Sequence, residues 1–447
     1  MAAAESKQVR IGSTTALLLI AQVVTLGVSF ATSVLLARAL GPAGKGQLTL
    51  LLQIPGTIAM FAGLGIPAAN AYFVGRRVHG VGVTLGNSLL AAAAATLVGL
   101  PIYLVLTRGP GAPPGGFPLV PVMLVAAVLP LSLLVSFVSG IGTALQQLPR
   151  QAAASLLGAL ASTVLVALAF ITHRLDLGIA AAASPLMLTI TFLVLVTGVE
   201  RARTDPVRVS VTALREASGY SLKSYFAGLT SFLNYRQDVF VVGYLAGNAQ
   251  LGLYSIAVTF AELLWYLPNA LSTTILSKSM AAQHEAGAQF TARSSRITVA
   301  LMIVLAGVSA LVIRPVLTLL YTGKFVDSAA AFYWLLPGVI MLGIVKILSS
   351  YLAAHGKLYP LLGLLSAGVN LVANLLLVPR LGIVGAAVSS SISYTLMGVI
   401  LIGLYRRETG ARLRALLVLD REDLRAIRQS LASYLPGERG PDEALPR

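Results

Sequence analysis

The chain has 447 residues, of which 57% are hydrophobic and only 11% charged, whereas charged residues make up about 25% of a typical soluble domain. With a mean hydropathy of +0.85, this composition excludes a soluble globular protein and indicates a membrane protein. The net charge of +16 does not predict nucleic-acid binding, because Lys and Arg concentrate in the predicted loops of one membrane side. Since the sequence has no cysteine and its four histidines form no ligand pattern, we predict neither a metal site nor a cofactor.

Twelve apolar stretches are long enough to cross a bilayer, which takes about 20 mostly apolar residues. The first stretch is too long for the core of a signal peptide, so we interpret it as a retained span. The sequence therefore predicts an all-α polytopic membrane protein with twelve transmembrane helices. The predicted spans are residues 13–39, 47–74, 82–107, 118–144, 151–172, 177–199, 217–246, 250–277, 297–321, 329–354, 358–379 and 384–405.

The distribution of Lys and Arg orients these spans. With the N-terminus inside, 22 of these residues fall on the inner side and seven on the outer side, and positive charge accumulates on the cytoplasmic side of membrane proteins. We therefore predict that both termini are cytoplasmic. The longest predicted outer loop, which begins at Arg108, is a short Pro/Gly stretch that leaves no room for a catalytic domain, so we do not expect an enzyme.

Matches at a constant offset indicate an internal duplication. Gly41 and Gly46 recur as Gly247 and Gly252, 206 residues later, and repeats in one order at one offset are the signature of duplicated units. Because each copy has an even number of spans, both enter the membrane in the same sense, which predicts two parallel six-helix bundles around a central cavity. The predicted parts are an N-terminal bundle at 1–199, a cytoplasmic linker at 200–216 and a C-terminal bundle at 217–405.

The C-terminal residues, 406–447, form a charged cytoplasmic tail. Leu424, Ile427, Leu431 and Leu435 recur there at near-helical spacing, which predicts a short amphipathic helix. Such a helix would lie on the anionic lipids of the inner leaflet. A solvated tail is the alternative.

Several ionisable or polar residues lie within the seventh span, where each charge costs about 2.5 to 3.5 kcal/mol. Lys223, Asn234 and Asp238 share one helix face, and Arg236 lies on another side. We interpret all four as candidates for substrate binding in the central cavity. A structural ion pair is the alternative, or, above all for Lys223, snorkelling of the charge from near a span end.

Further candidates lie in the C-terminal half. Asn370 and Asn374 continue a polar stripe that begins at Ser366 in the eleventh span, and Lys346 lies in the tenth. The alternative for the neutral residues is interhelical hydrogen bonding. Glu262 is the acid well inside the eighth span, where it is a candidate for taking up a coupling proton or, alternatively, for pairing with a cation.

Several fragments, taken in order, resemble one family. They are LLARALGPAGKGQLTLLLQIPG leading to LGIPAANAYFVGRR, then FLNYRQDVFVVGYLAGNAQLGLYSIAVTFAELLW, TGKFVDSAAAFYWLLPG and LAAHGKLYPLLGLLSAGVNLVANLLLVPRLGIVGAAVSSSISY. The chain resembles the polysaccharide-biosynthesis (Wzx-like) flippases of the multidrug/oligosaccharidyl-lipid/polysaccharide exporter superfamily, and the resemblance covers most of its length. The fold of that family, twelve helices in two bundles of six around a central cavity, agrees with the span count and the duplication.

The resemblance implies a transporter that moves an undecaprenyl-diphosphate-linked oligosaccharide from the inner to the outer leaflet of a bacterial cytoplasmic membrane, for a surface polysaccharide such as an exopolysaccharide or O-antigen. In that case Arg236 and Lys346 bind the diphosphate or acidic sugars, and Lys223 lies nearer the inner entrance. The sugar hydroxyls would then form hydrogen bonds with three asparagines, Asn234, Asn370 and Asn374. The partners that the resemblance suggests are the lipid-linked substrate, anionic lipids, a coupling H⁺ or Na⁺ and polysaccharide polymerase machinery.

Other functions fit parts of the sequence. A drug/cation antiporter of the same superfamily would favour acids in its cavity, whereas this chain offers mainly bases. A lipid II-type flippase is closer in substrate but typically has two more C-terminal helices. A membrane glycan polymerase, which is an enzyme, would need a sizeable outer loop, and a purely structural scaffold would not explain the charges within the spans.

Overall fold

The computed structural model describes residues 2–110, 112–113, 116–281, 284–355, 360–423 and 425, except for the side chains of residues 2–17, 19, 222–224, 227, 277–281, 284 and 360. Every regular element of these residues is helical, which confirms the predicted all-α fold. The helices are α1 (Ala2–Ala62), α2 (Ile66–Gly75), α3 (Val81–Arg108), α4 (Leu119–Ala126), α5 (Val128–Ala144), α6 (Leu148–Ile171), α7 (Leu177–Ala202), α8 (Val211–Leu245), α9 (Gly247–Leu263), α10 (Tyr266–Ala281), α11 (His284–Tyr321), α12 (Ser328–Ala354), α13 (Pro360–Leu381), α14 (Ile383–Thr409) and α15 (Leu413–Leu417), with a 3₁₀ turn at Gly323–Phe325.

The first helix joins two predicted spans across a kink. Gly41 lies at the kink with φ 64° and ψ −177°, a conformation that only glycine adopts readily. A second glycine with positive φ, Gly65 (φ 73°), separates α1 from α2. Gly65 therefore interrupts the predicted span at 47–74 in its last third, and the span continues into α2.

Within the described part of the chain, nine helices are long and apolar enough to cross a membrane. The number is ten if the bent pair Gly247–Leu263 and Tyr266–Leu276, whose axes differ by 43°, is one broken span. With the bent pair counted as one span, the structure differs from the twelve predicted spans at two places, because α1 counts once and the polar helix α8 does not count. A multi-span membrane protein is confirmed, and the count of twelve stays a prediction.

The residues group into two compact units. Unit 1 comprises Met1–Ile256, Pro315–Ser328 and Leu371–Ala386, and unit 2 comprises Ala257–Arg314, Ala329–Asn370 and Ala387–Arg447. In unit 1, α6 packs on α1 and α7, while α5 packs on α2, α3 and α7. The predicted division into domains at residues 199 and 217 stays a prediction.

The core of unit 1 consists of apolar side chains from α3, α5, α6 and α7. One cluster includes Val138, Ile141 and Ala154. A second includes Leu129 and Phe137, which pack with residues of α1 and α3. These clusters hold the four helices in fixed relative positions, so that the features described below have a rigid frame.

The predicted linker is attached to α3. The carboxylate of Asp205 accepts hydrogen bonds from the N–H groups of Gly82 and Val83 at 2.9 and 3.2 Å, which satisfies free donors at the helix N-terminus. Asn87 holds the backbone of Ser210 from both sides, because its amide donates to the carbonyl at 3.1 Å and its oxygen accepts from the N–H at 2.9 Å. The segment between the two predicted bundles is therefore fastened to one helix of unit 1.

In unit 2, a buried acid fixes the start of the C-terminal segment. Asp423 is fully buried and pairs with Arg293 at 3.0 Å and also with Arg296, both on α11. Arg296 in addition donates to the carbonyl of Ala415 at 3.3 Å. The predicted amphipathic helix through Leu424, Ile427, Leu431 and Leu435 lies outside the described residues.

Candidate functional site

The polar face of α8 is buried in unit 1. Thr230, Asn234 and Asp238 expose only 6%, 4% and 4% of their surface. The hydroxyl of Tyr254, a fully buried residue of α9, donates a hydrogen bond to the Asp238 carboxylate, and the N–H of Val239 donates another at 2.9 Å. Because a buried charge is costly without hydrogen bonds, Tyr254 makes the position of Asp238 tolerable and ties α8 to α9.

The predicted site residues on α8 include two cations, Arg236 and Lys223, and of this pair the structure describes only the side chain of Arg236. Arg236, two residues before Asp238, is half-buried. The side chain of Lys223 lies outside the described residues. The substrate-binding role of both stays a prediction.

In unit 2, the break between α9 and α10 places two groups beside Lys346. The Lys346 ammonium lies 5.4 Å from the centroid of the Trp265 ring, within the roughly 6 Å of a cation–π contact. Glu262 interacts with Lys346 electrostatically, and its carbonyl accepts the N–H of Trp265 at 3.0 Å. Pairing with a cation is thus available to Glu262, while proton coupling stays a prediction.

The polar stripe of α13 contacts α14. The amide of Asn370 donates to the hydroxyls of Ser390 and Ser393 at 3.3 and 3.2 Å, and Ser366 donates to the carbonyl of Ser393 at 3.1 Å. Asn370 and Asn374 are both fully buried. Interhelical hydrogen bonding, the alternative that the sequence leaves open, therefore accounts for Ser366 and Asn370 in this conformation, and sugar binding stays a prediction.

The glycines related by the 206-residue offset adopt similar conformations and make similar contacts. Gly41 and Gly247 have positive φ angles of 64° and 84°. Five residues after each, Gly46 and Gly252 stand at the contact between α1 and α9. Residues 206 positions apart therefore share backbone conformations and contacts as well as residue types.

The contact between these turns is reciprocal. Gly46 approaches the backbone carbonyl of Asn248 and the nitrogen of Gly252, and Gly252 approaches the carbonyl of Pro42 and the nitrogen of Gly46. Pro42 and Asn248 are themselves 206 residues apart. A Cβ atom on either glycine would overlap backbone atoms, which unlike side-chain ends have no room to move. We call these four residues the glycine contact.

The end of α11 is fastened to the same helix. The guanidinium of Arg38 donates to the carbonyls of Leu319 and Leu320, which are among the last carbonyls of α11 and carry its partial negative charge. The ring of Phe30 meets that of Tyr321 edge to face, with centroids 6.0 Å apart. All of these residues belong to unit 1.

Unit 1 also contains a cavity of about 840 Å³, between the C-terminal end of α1, α2, α3 and the start of α8. Its wall is largely apolar and on α3 consists mainly of small residues. A cavity of this size, apolar with a few polar groups, is the usual form of a ligand site. Apolar and small lining residues include Ile58, Phe61, Leu64, Ile66, Ala91, Ala94, Ala95, Val98, Gly99 and Ile102.

One end of this cavity is polar. Asn70 donates to the hydroxyl of Ser88 at 2.9 Å and to the carbonyl of Phe137 at 3.1 Å. His79 bonds Glu216 at 2.9 Å, and its ring stacks on Phe73 with centroids 4.6 Å apart. Polar residues that line this end are His79, Thr84, Asn87, Ser88, Ser218 and Ser221.

The predicted site residues whose side chains the structure describes do not line this cavity, and the predicted residues fall into separate groups. Glu262, Lys346 and Asn370 belong to unit 2, and the others to unit 1. Sequence reasoning missed the cavity because its wall includes the alanine run of SLLAAAAATL, and small residues in membrane helices most often serve close packing. An alanine that leaves space looks the same in the sequence as one that fills it.

A sequence model of the family described as "Polysaccharide biosynthesis protein" matches residues 11–276, which is more than half of the chain. The chain belongs to this family. The resemblance that the sequence fragments carry is thereby confirmed. A comparison with curated protein sequences finds no match.

Several solved structures share the fold of this chain. The lipid II flippase MurJ in an inward closed conformation superposes with a TM-score of 0.74 at 13% identity, over 94% of each chain. An inward-facing multidrug resistance transporter of the MATE family has a TM-score of 0.70 at 16% identity, over 88% of this chain and 98% of that one. A transporter of the MOP superfamily from Pyrococcus furiosus has 0.61 at 19%, over 88% and 94%. At these identities the likeness shows the fold, which is that of MOP-superfamily transporters.

Proposed function

We propose that this polysaccharide biosynthesis protein flips an undecaprenyl-diphosphate-linked oligosaccharide from the inner to the outer leaflet of a bacterial cytoplasmic membrane. The observation that carries the proposal is the presence of two cations, Arg236 and Lys346, in the helices of a chain of this family. A sugar diphosphate has to cross about 30 Å of hydrocarbon. An arginine fork and a lysine point charge are the groups that bind phosphate oxygens best.

The architecture that fits this function is two parallel six-helix bundles with both termini in the cytoplasm. If the chain crosses the membrane once before and once after Gly41, α1 supplies two spans. Counting α8 as a further span and the bent pair α9 and α10 as one then gives the predicted twelve. Gly41, Gly247 and the glycine contact would lie at the outer membrane surface, where they would close the path while the inner side accepts substrate.

Substrate binding would be linked to ion binding through Glu262. The acid and the substrate diphosphate would compete for the Lys346 ammonium. When the diphosphate takes Lys346, Glu262 would lose its electrostatic partner and bind H⁺ or Na⁺ instead, which couples transport to an ion gradient. The asparagines Asn234, Asn370 and Asn374 would exchange their present hydrogen bonds for sugar hydroxyls, and polymerase machinery would consume the flipped product.

The test is accumulation of the lipid-linked oligosaccharide in each leaflet of cells that lack the protein. We expect the intermediate to build up in the inner leaflet and wild type to clear it, whereas Arg236→Gln and Lys346→Gln fail at matched expression. Arg236→Lys, which keeps the charge but not the fork, should clear it only in part. Arg174→Gln is the control, because Arg174 is exposed in the loop between α6 and α7, and it should behave as wild type.

Two results would contradict the proposal. An intermediate that already faces outward and stays unpolymerised in the deleted cells would assign the chain to a step after translocation, and the polymerase would replace the flippase. Normal lipid intermediates together with hypersensitivity to cationic drugs would instead assign it to the antiporters.

A further inference from the structure

The apolar cavity of unit 1 is as long as a bilayer is thick. Its lining residues on α3 run from Thr84 to Leu106, a distance of about 33 Å at 1.5 Å per residue. The hydrocarbon core of a bilayer measures about 30 Å. A ligand that fills this groove is therefore long enough to reach through both leaflets.

The groove opens sideways, toward the lipid. Phe61, Val98 and Ile102 line it and expose 43%, 64% and 46% of their surface. Ala94 and Ala95 also line the groove, and their small side chains do not fill it. An apolar chain could enter from the bilayer without passing through water.

Cations lie close to the polar end. Arg76 and Arg77 follow α2 and are both exposed, and they lie in sequence between Phe73 and His79, which line the cavity. The Arg76 guanidinium stands 5.1 Å from the centroid of the Tyr72 ring, a contact that leaves its N–H groups available to an anion. The sequence predicts this end to be cytoplasmic, where a lipid-linked substrate starts.

We propose that this groove binds the polyprenyl tail of the substrate, and that the diphosphate is first held at the end marked by His79, Arg76 and Arg77 before it moves on to Arg236 and Lys346. The inference rests on the proposed flippase function and adds a site that keeps the tail attached while the head crosses. Length selects the occupant. A phospholipid acyl chain reaches through one leaflet, about half of the hydrocarbon core, and would leave the outer part of the groove empty, whereas an undecaprenyl chain can follow all of it.

The test is binding of radiolabelled undecaprenyl diphosphate to the purified full-length protein in nanodiscs. Ala95→Phe places a ring in the groove and should raise Kd at least tenfold. Ala153→Phe is the matched control, since Ala153 is exposed on α6 and does not line the cavity, and it should bind as wild type. Unlabelled dioleoyl phosphatidylglycerol should compete at least tenfold more weakly than unlabelled undecaprenyl diphosphate.

A crosslinking experiment covers the case in which Ala95→Phe does not fold. Because the chain has no native cysteine, Ala95→Cys can be labelled with a benzophenone maleimide at a single site. Illumination should capture the undecaprenyl probe at position 95 and not at Ala153→Cys. The reverse pattern, or equal capture at both positions, would overturn the inference.

The outcomes separate this inference from the function on which it rests. If Ala95→Phe binds the probe as tightly as wild type, or phosphatidylglycerol competes equally well, the groove is an ordinary lipid contact while the flippase proposal stands. If wild type binds no undecaprenyl diphosphate and its deletion leaves the intermediate facing outward, both fall together.

Discussion

The glycine contact and the apolar cavity both depend on side chains that are small, with opposite results. At the glycine contact, the lack of a Cβ on Gly46 and Gly252 lets two backbones touch. In the cavity, Ala94 and Ala95 leave a groove between helices that larger residues would close. Small residues in membrane helices therefore serve close packing in one place and leave a cavity in another.

The largest effect should come from a methyl group at the glycine contact. We expect Gly46→Ala or Gly252→Ala to lower the proposed flipping at least tenfold, because the Cβ would overlap backbone atoms of the other turn and hold the two turns apart. The measurement is the rate at which cells clear the inner-leaflet intermediate.

The matched control for these substitutions is Gly56→Ala in the same helix α1. A Cβ at Gly56 meets nothing within 4 Å, so alanine should leave flipping unchanged and stabilise the helix by up to about 1 kcal/mol. Equal activity of Gly46→Ala and Gly56→Ala would mean that the glycine contact is not needed for transport.

The next largest effect concerns the hydrogen bond that joins α8 to α9 close to the glycine contact. Tyr254→Phe removes the hydroxyl that donates to the buried Asp238, and loss of a partner from a buried polar group costs about 1–3 kcal/mol. Thermal unfolding in detergent should show a lower Tm. Tyr72→Phe, which keeps the ring stacked on Tyr220 at 4.3 Å, is the control and should leave Tm within error.

A smaller effect is expected where the linker caps α3, which forms one wall of the cavity. Burial opposes ionisation of Asp205, but hydrogen bonds from Gly82 and Val83 and the charge of Arg203 outweigh it and hold the pKa of Asp205 below its usual value. Asp205→Asn removes the negative charge from the N-terminus of α3 and should cost about 0.3–1 kcal/mol at pH 7.

The pH dependence of that substitution follows from the sign of the shift. A carboxyl whose pKa is lowered by folding stabilises the folded state above its unfolded pKa, and this contribution is lost as pH falls through the folded value. The difference in Tm between wild type and Asp205→Asn should therefore shrink toward zero as pH is lowered below about 4. A difference that stayed constant would assign the effect to hydrogen-bond geometry rather than charge.

The smallest effect should come from the ion pair at the polar end of the cavity. Glu216 bonds His79 at 2.9 Å, but its side chain is 52% exposed, and exposed pairs contribute about 0–1 kcal/mol. Glu216→Gln should therefore shift Tm hardly at all and leave the Kd for undecaprenyl diphosphate within twofold. A large loss of binding would show instead that this pair orients His79 toward the ligand.

For the polar residues, the sequence pattern predicts which helix face they share but not which residues they contact. Helical spacing correctly placed Asn234 and Asp238 on one buried face of α8, because spacing along a helix fixes which side chains share a side. It could not name Tyr254 as the partner of Asp238, since that contact depends on how α9 folds back. For Asn370, likewise, the sequence left sugar binding and interhelical hydrogen bonds open, and only the position of α14 supplied Ser390 and Ser393.

The sequence by itself determined the class of the protein and its family and predicted a duplication, because hydropathy and repeated spacing are properties of consecutive residues. Tertiary structure decided what the small residues do. The same lack of side-chain volume brings Gly46 and Gly252 into contact and leaves a groove beside Ala94 and Ala95, and which of the two occurs is set by the distance between helices that the sequence does not join directly. That distance follows from packing of the whole of unit 1, since close-packed helices fix one another's positions.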